Sequence, residues 1–512
     1  MRLLSLKINQ PYRGLAGFDE DFKAPDVLQV DLQPICFVGL NGSGKSNIIE
    51  ALSDIFCYLD LYCLDYEETP KWALLSPLTF DVQYLIKIDK KKKPTHIRIA
   101  SKKDKAPLFY LVNDDNEAEL SKEDFRPYFP KRILGYSSGQ NETISFPYLR
   151  NQGFYAGSVA KQAFGKKNKQ SIPHTRSLLM DYESNALILL SNFLFNKPNE
   201  LKIFDEFLRI SDISSFRVVV NLKLKGKQKP VLLTSELQEV IEKLIKCSVI
   251  HETISEDVHW IIDFVVNKAT KDVINKTFGS AEIFFTSLYK LSLLNALSLT
   301  GQERAYYTAK GVKRTLLEQP PAVAKESKVF CVDQLKLKLS APKTEIDYVG
   351  ISDGEHQFIN TIGTVMLFNE PNCLFLFDEP ESHYNPLWRS QFIEILNKVS
   401  SSNDQEFVLS THSPFVISGC RRENVLRFER KEDKNDITCS RPKRETFGNT
   451  FERLLTDLFE VESSISTHST DRIQKIIRTK NLKKMKEAAL DIAESPQKRF
   501  LYEAILRIEK NN

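Results

Sequence analysis

The residues best placed to do chemistry are Gly39, Leu40, Asn41, Gly42, Ser43, Gly44, Lys45, Ser46 and Asn47, which meet the spacing G-x-x-x-x-G-K-S in full. Gly39 and Gly44 can adopt backbone angles closed to other residues, so successive N–H groups can turn inward around a phosphate. Lys45 adds a full positive charge. The Ser46 hydroxyl falls in the first turn of the helix that follows, where it can ligate Mg²⁺ while the helix N-terminus favours the same anion. Taken alone, the stretch also fits a plain Gly/Ser/Asn turn ahead of an amphipathic helix.

Three later fragments weigh against that plain alternative. VGISDGEHQFINTIGTVML (349–367) is a Ser-x-Gly loop opening a helix and brings Ser352, Gly354 and Glu355. NCLFLFDEPESHYNP (372–386) is an apolar strand ending in Asp378 and Glu379, and FVLSTHSPF (407–415) is a buried strand ending in Ser, Thr and His412. Each could be an ordinary helix cap, an acidic turn or a loop histidine. Their order carries the signal: the acids stand 26 residues after Ser352, and His412 stands 34 residues after Asp378. Between the first loop and these fragments, KRILGYSSGQNETISF (131–146) runs from a strand into a polar loop containing Gln140.

The elements that must position these groups follow from periodicity. LLSLKI (3–8) and VLQVDL (27–32) alternate like strands; ICFVG is a buried strand, and a helix runs from Lys45 to about Leu59. TFDVQYLIKI (79–88), HIRIA (96–100) and LFYLV (108–112) predict an antiparallel sheet beside the loop, with the lysine run 90–93 as a solvated hairpin tip. Apolar helical segments at 178–196 and 281–298, an amphipathic helix at 235–247 and a strand VHWIIDFVV (258–266) make a mixed middle segment with no sustained heptad repeat. The stretch 158–177 holds Lys161, Lys166, Lys167, Lys169 and Arg176 without an acid, which suits either a phosphate-seeking loop or a linker.

Composition sets the class. The chain has 512 residues, 42% hydrophobic and 27% charged, enough for two or three domains with real cores. A net charge of +4 is too mild to demand a nucleic-acid partner. The eight cysteines are scattered and form no C-x-x-C pair, which points to reduced thiols rather than disulfides or a zinc site. No apolar run approaches the ~20 residues needed to span a bilayer, and the N-terminus lacks the long apolar core of a signal peptide. The expectation is a cytoplasmic protein.

At these residues the sequence resembles the ABC-type ATPase heads of the structural-maintenance-of-chromosomes and overcoming-lysogenization-defect groups. It looks most similar to bacterial anti-phage defence and restriction-associated ATPases, including the Septu-type ATPase subunit. The resemblance covers about 1–150 and 345–420. It implies an α/β P-loop NTPase fold of ABC-ATPase head type, with an antiparallel β subsheet and an inserted mainly helical domain. The corresponding division is 1–150 for the first half of the head, 151–345 for the insertion and 346–430 for the second half; beyond it, the amphipathic pattern of 431–512 suits a helical docking segment or ordinary core packing. It also implies ATP and Mg²⁺ as cofactors: Gly39 to Ser46 would be the Walker A loop, Gln140 the Q-loop residue and a metal ligand, and Ser352 to Gln357 the signature. Asp378 and Glu379 would be the Walker B pair and His412 the switch histidine. Asp353 stands where transporter signatures have glycine, which points to the non-transporter heads.

In these roles Lys45 and the loop amides hold phosphates, Ser46 and Asp378 hold Mg²⁺, Glu379 polarises water and His412 steadies the γ-phosphate. Ser352 and Gly354 would reach ATP held by a second subunit, making ATP an intermolecular glue in a homodimer or higher oligomer. The resemblance further implies a regulatory or DNA-sensing subunit, with a nucleic-acid ligand and an effector nuclease in trans. No nuclease centre is identified in the chain itself. The alternatives are the motor of a membrane transporter and a DNA-repair or chromosome-organising head.

Overall fold

Three apolar runs, ICFV, CLFLFD and EFVLST, form the parallel strands Ile35–Val38, Cys373–Asp378 and Glu406–Thr411, and every residue of all three is buried. Unbroken hydrophobicity is what a parallel strand covered on both faces requires. They lie in a seven-stranded sheet whose spatial order is Asp436–Ser440, Val425–Lys431, Ile35–Val38, Glu406–Thr411, Cys373–Asp378, Arg132–Ser137 and Ser177–Leu179. All neighbours in it are parallel except the pair Val425–Lys431 and Asp436–Ser440. The computed structural model describes all residues except 23–31, 65, 67–68, 89–92, 114–115, 139–141, 165–171, 225–228, 256–257, 304–322, 401–403, 432–435, 462–464 and 512. Gln140, Lys166, Lys167, Lys169, most of the lysine run and nearly all of 27–32 lie outside the described residues.

The helix after the glycine loop spans Lys45–Leu64, longer than its apolar pattern predicts, and is buried over most of its length. Such a helix must satisfy its own polar groups. Glu50 pairs with Arg13 at 2.6 Å, Asp54 accepts from the Tyr12 hydroxyl at 2.9 Å, and Asp60 accepts from the backbone and hydroxyl of Ser177 at 2.9 and 2.7 Å. On one side of it lies the six-stranded antiparallel sheet, in the order Phe18–Asp21, Arg2–Ile8, Phe80–Ile86, Thr95–Ser101, Leu108–Asn113 and Asn116–Leu120. Phe80–Ile86 alternates buried and half-buried residues, and its inward side chains share one apolar core with Ile48, Leu52 and Phe56 of the helix.

The middle segment combines helices, among them Tyr182–Phe195, Pro198–Leu208, Ser235–Cys247, Lys268–Phe278 and Ala281–Leu293, with a five-stranded antiparallel sheet. That sheet runs Ile250–Ser255, His259–Val265, Ile210–Asn221, Phe330–Leu339 and Glu345–Asp347. All of this belongs to one compact unit, Met1–Phe447. The second unit, Gly448–Asn512, consists of helices with a small core of its own formed by Ile473, Met485, Ala489, Leu501 and Ile505.

Candidate nucleotide-binding site

The parallel register brings the chain's chemical residues to one edge of the sheet. Asp378 pairs with Ser410 on one side and Ser137 on the other, and Thr411 pairs with Val38, so the ends of three strands and the start of the glycine loop are adjacent. Ligands of open α/β sheets bind at such carboxyl ends. Gly39 and Gly44 have φ of +146° and +99°, and a Cβ at either would stand 2.3 Å from the Phe428 carbonyl oxygen or 2.7 Å from Ile437 Cδ1. No other residue fits there. The buried Ser43 hydroxyl has no hydrogen-bond partner among the described residues, an orphan that a phosphate oxygen would satisfy.

Lys45 Nζ donates to the carbonyls of Gly39 at 3.1 Å and Leu40 at 3.2 Å, and lies 2.8 Å from His412 Nε2. Burial lowers its pKa to about 8, against the pull of Glu379 and Asp378. His412 Nε2 also stands 2.9 Å from Glu379 Oε1. One ring nitrogen cannot donate to Glu379 and accept from Lys45 at the same time, so the proton on His412 decides which partner it holds. That hydrogen bond is the main reason the Glu379 carboxyl is held below its ordinary range.

Ser46 Oγ donates to Asp378 Oδ1 at 2.9 Å, and Ser410 Oγ donates to the same carboxylate oxygen. Two hard oxygens at one side of a phosphate cradle suit Mg²⁺, which is held by one or two protein ligands plus phosphates and water. Among the described residues there is no cluster of three or more His, Cys, Asp or Glu for an all-protein metal site. Glu379 takes φ +50°, unusual for a non-glycine residue, and both sides of its backbone are clamped. Its N–H donates to Ser410 O at 3.2 Å and Ser410 Oγ at 3.1 Å, while its carbonyl accepts from Gln357 Nε2 at 3.2 Å.

Ser352 caps the helix Asp353–Phe358 through a reciprocal box: its hydroxyl accepts from Glu355 N, and its N–H and hydroxyl both donate to Glu355 Oε2 at 2.7 Å. Ser352 and Asp353 are exposed, and among the described residues no hydrogen bond joins Ser352 or Gly354 to the loop 39–47. Gly354 packs against the acidic turn, where a Cβ would meet the His383 carbonyl oxygen at 2.8 Å. The helix continues through a π turn at Ile359–Gly363, a feature that recurs near functional sites.

Sequence reasoning assigned no role to Glu381 or Ser410. Glu381 is fully buried and accepts from Thr411 Oγ1, which in turn accepts from Ser413 N at 2.9 Å, so a buried carboxyl braces the backbone on both sides of His412. Burial pushes its pKa up to about 7. A third acid in DEPE was a visible signal for it.

Residues 329–418, which hold the Ser352 loop, Asp378, Glu379 and His412, match the family model described as "AAA domain, putative AbiEii toxin, Type IV TA system". Over 112 residues the chain is 32% identical to Protein ea59 of Escherichia phage lambda, covering 22% of this chain and 21% of that protein. The match thus spans about a fifth of that relative's length. Similar solved structures include the Smc head domain with an extended coiled coil bound to the C-terminal domain of ScpA derived from Pyrococcus furiosus, at 12% identity and a TM-score of 0.32, covering 90% of this chain and 100% of that one. The SMC head domain from Thermotoga maritima gives 10% identity and a TM-score of 0.33, with 87% and 100% covered. From its own sheet order and loop geometry, the chain has a mixed α/β P-loop NTPase fold with an antiparallel subsheet.

Proposed function

We propose that this chain binds ATP with Mg²⁺ and hydrolyses it. The reading rests on the convergence at one sheet edge of two hydrogen-bonded groups, Lys45 with His412 and Glu379, and Ser46 with Asp378. Lys45 and the amides of Gly39 to Asn47 hold the phosphates; Ser46 and Asp378 hold the metal, which when bound neutralises phosphate charge. Glu379 orients and polarises the attacking water, and His412 takes the γ-phosphate in place of its contact with Glu379. Ser352, Gly354 and Glu355 serve a second copy of the chain, so that ATP closes the dimer and hydrolysis opens it. Glu355 already engages the Ser352 hydroxyl, so phosphate approach has to displace that carboxylate.

On this reading the chain is the regulatory or nucleic-acid-sensing ATPase of a bacterial antiviral system and controls an effector in trans. The family description naming a toxin–antitoxin system supports that setting. Among the described residues no helix is long and apolar enough to cross a membrane. The test is ATP turnover by the purified chain and its Lys45→Ala variant, with and without DNA and the product of the adjacent reading frame. Turnover that Lys45→Ala leaves intact would sink the site assignment. Turnover indifferent to DNA and to the neighbour would sink the sensing role.

A further inference from the structure

The helix opened by Ser352 is tied to the acidic turn by one buried side chain. Gln357 Oε1 accepts from His383 N at 2.8 Å, and its Nε2 lies 3.0 Å from the Tyr136 hydroxyl, 3.2 Å from the Glu379 carbonyl and 3.1 Å from Ser382 Oγ. The amide orientation is not arbitrary, because a backbone N–H can only donate and a backbone carbonyl can only accept. Gln357 therefore spans the helix 353–358, the strand Arg132–Ser137 and both ends of the turn 379–383. Gly354 makes the second junction, with its Cα side pressed against His383. The Ser352 helix thus meets this turn at two points, Gln357 and Gly354.

Glu379 is the residue that would feel such a shift. Its left-handed backbone is a conformation that costs ~1–3 kcal/mol and persists only where neighbours impose it. The neighbours here are Ser410 on its N–H, and Gln357 Nε2 and the Ser382 N–H on its carbonyl, each at 3.2 Å. Loss of the Gln357 contact would leave that carbonyl to the Ser382 N–H of the same turn, with no tie to the helix 353–358, and would loosen the aim of the carboxylate beside His412.

We propose that Gln357 is a positioning residue that couples the Ser352 loop to Glu379, so that a nucleotide pressed against that loop by a partner copy sets the aim of the catalytic carboxylate in the same chain. This rests on the ATPase reading above. It assigns a means by which one composite site reports its occupancy to the other.

The test separates coupling from mere packing. Gln357→Glu keeps size and the acceptor for His383 N but removes both amide hydrogens; Gln357→Met keeps bulk and removes all four contacts. Both should lower kcat by about tenfold or more while the equilibrium affinity for ATP, set at Lys45 and Ser46, stays within about twofold. Tyr136→Phe and Ser382→Ala, which each delete one partner of the amide but spare the Glu379 carbonyl, should retain kcat within about twofold. Combined with Glu379→Gln, Gln357→Glu should cost little more in single-turnover hydrolysis, because both act on one step. Unchanged kcat, a parallel fall of kcat and affinity, or additive losses in the double variant would each overturn the coupling. If wild-type hydrolysis is absent or survives Lys45→Ala, the ATPase reading itself falls and the coupling falls with it; a Lys45-dependent ATPase with a silent Gln357 sinks the coupling alone.

Discussion

Ser46 Oγ donates a hydrogen bond of 2.9 Å to Asp378 Oδ1, which holds the two oxygens proposed as Mg²⁺ ligands side by side. Octahedral Mg²⁺ with ligands at about 2.1 Å places neighbours about 3 Å from each other. Nucleotide affinity should therefore tighten on adding Mg²⁺ to the wild type, and Asp378→Asn should abolish most of that gain while keeping the metal-free affinity. Fluorescent-nucleotide titrations with Mg²⁺ and with chelator measure both terms. A Mg²⁺ effect that survives the substitution would remove Asp378 from the metal site.

Glu379→Gln keeps the shape of the side chain and removes the charge that faces His412. Hydrolysis should fall by about 100-fold or more, with ATP still bound. The trapped state should self-associate in an ATP-dependent way by light scattering, and adding Ser352→Arg should abolish that association. Association that ignores ATP or the arginine would leave the phosphate loop standing and the composite site refuted.

The buried carboxyl of Glu381 gives a pH signature. Its pKa is raised to about 7 in the folded chain, above the ordinary 4.5, because burial penalises the charged form. The folded state holds its proton where the unfolded state has lost it, so this group's contribution to stability falls as pH rises from about 4.5 to 7. Glu381→Gln removes that dependence: its Tm should gain on the wild type as pH climbs through this window and level off above it. A constant Tm difference from pH 5 to 8 would show that Glu381 is ionised in the fold.

Gly354→Ala tests the junction of the Ser352 helix with the acidic turn. The added methyl meets a backbone oxygen at 2.8 Å, which cannot rotate away. The expected cost is about 1–3 kcal/mol of stability together with reduced turnover, read by denaturant unfolding and steady-state kinetics. Wild-type values in both would mean that the helix moves freely against His383.

The parts of the fold that were legible in the sequence are those with a strong one-dimensional pattern. CLFLFD and EFVLST read as buried strands because both faces are covered, and Thr79 to Val112 read as hairpins because polar and apolar residues alternate. Ile210–Asn221 and Phe330–Leu339 escaped notice: ISDISSFRVVVN mixes polar residues into a strand whose pairing with its neighbour is broken by register shifts. At the site, Lys45, Ser46, Asp378 and Glu379 could be picked out because their chemistry is local to a loop or a strand end. The bracing by Gln357 could not, since Tyr136 is 221 residues away in sequence and only the tertiary fold makes them neighbours. Gln140 lies outside the described residues, so its place in the site stays a matter of resemblance.

The sheet order has a consequence for biosynthesis. Ile35–Val38 has no sheet partner near it in sequence: its neighbours are Glu406–Thr411 and Val425–Lys431, made late in this unit. During translation, at roughly 5–20 residues per second, the phosphate loop must wait tens of seconds with its flanking strand unpaired. An apolar strand left open for that interval is a natural client for a chaperone, and a ribosome stalled before Glu406 would release a product whose glycine loop lacks the strand that brings His412 beside Lys45.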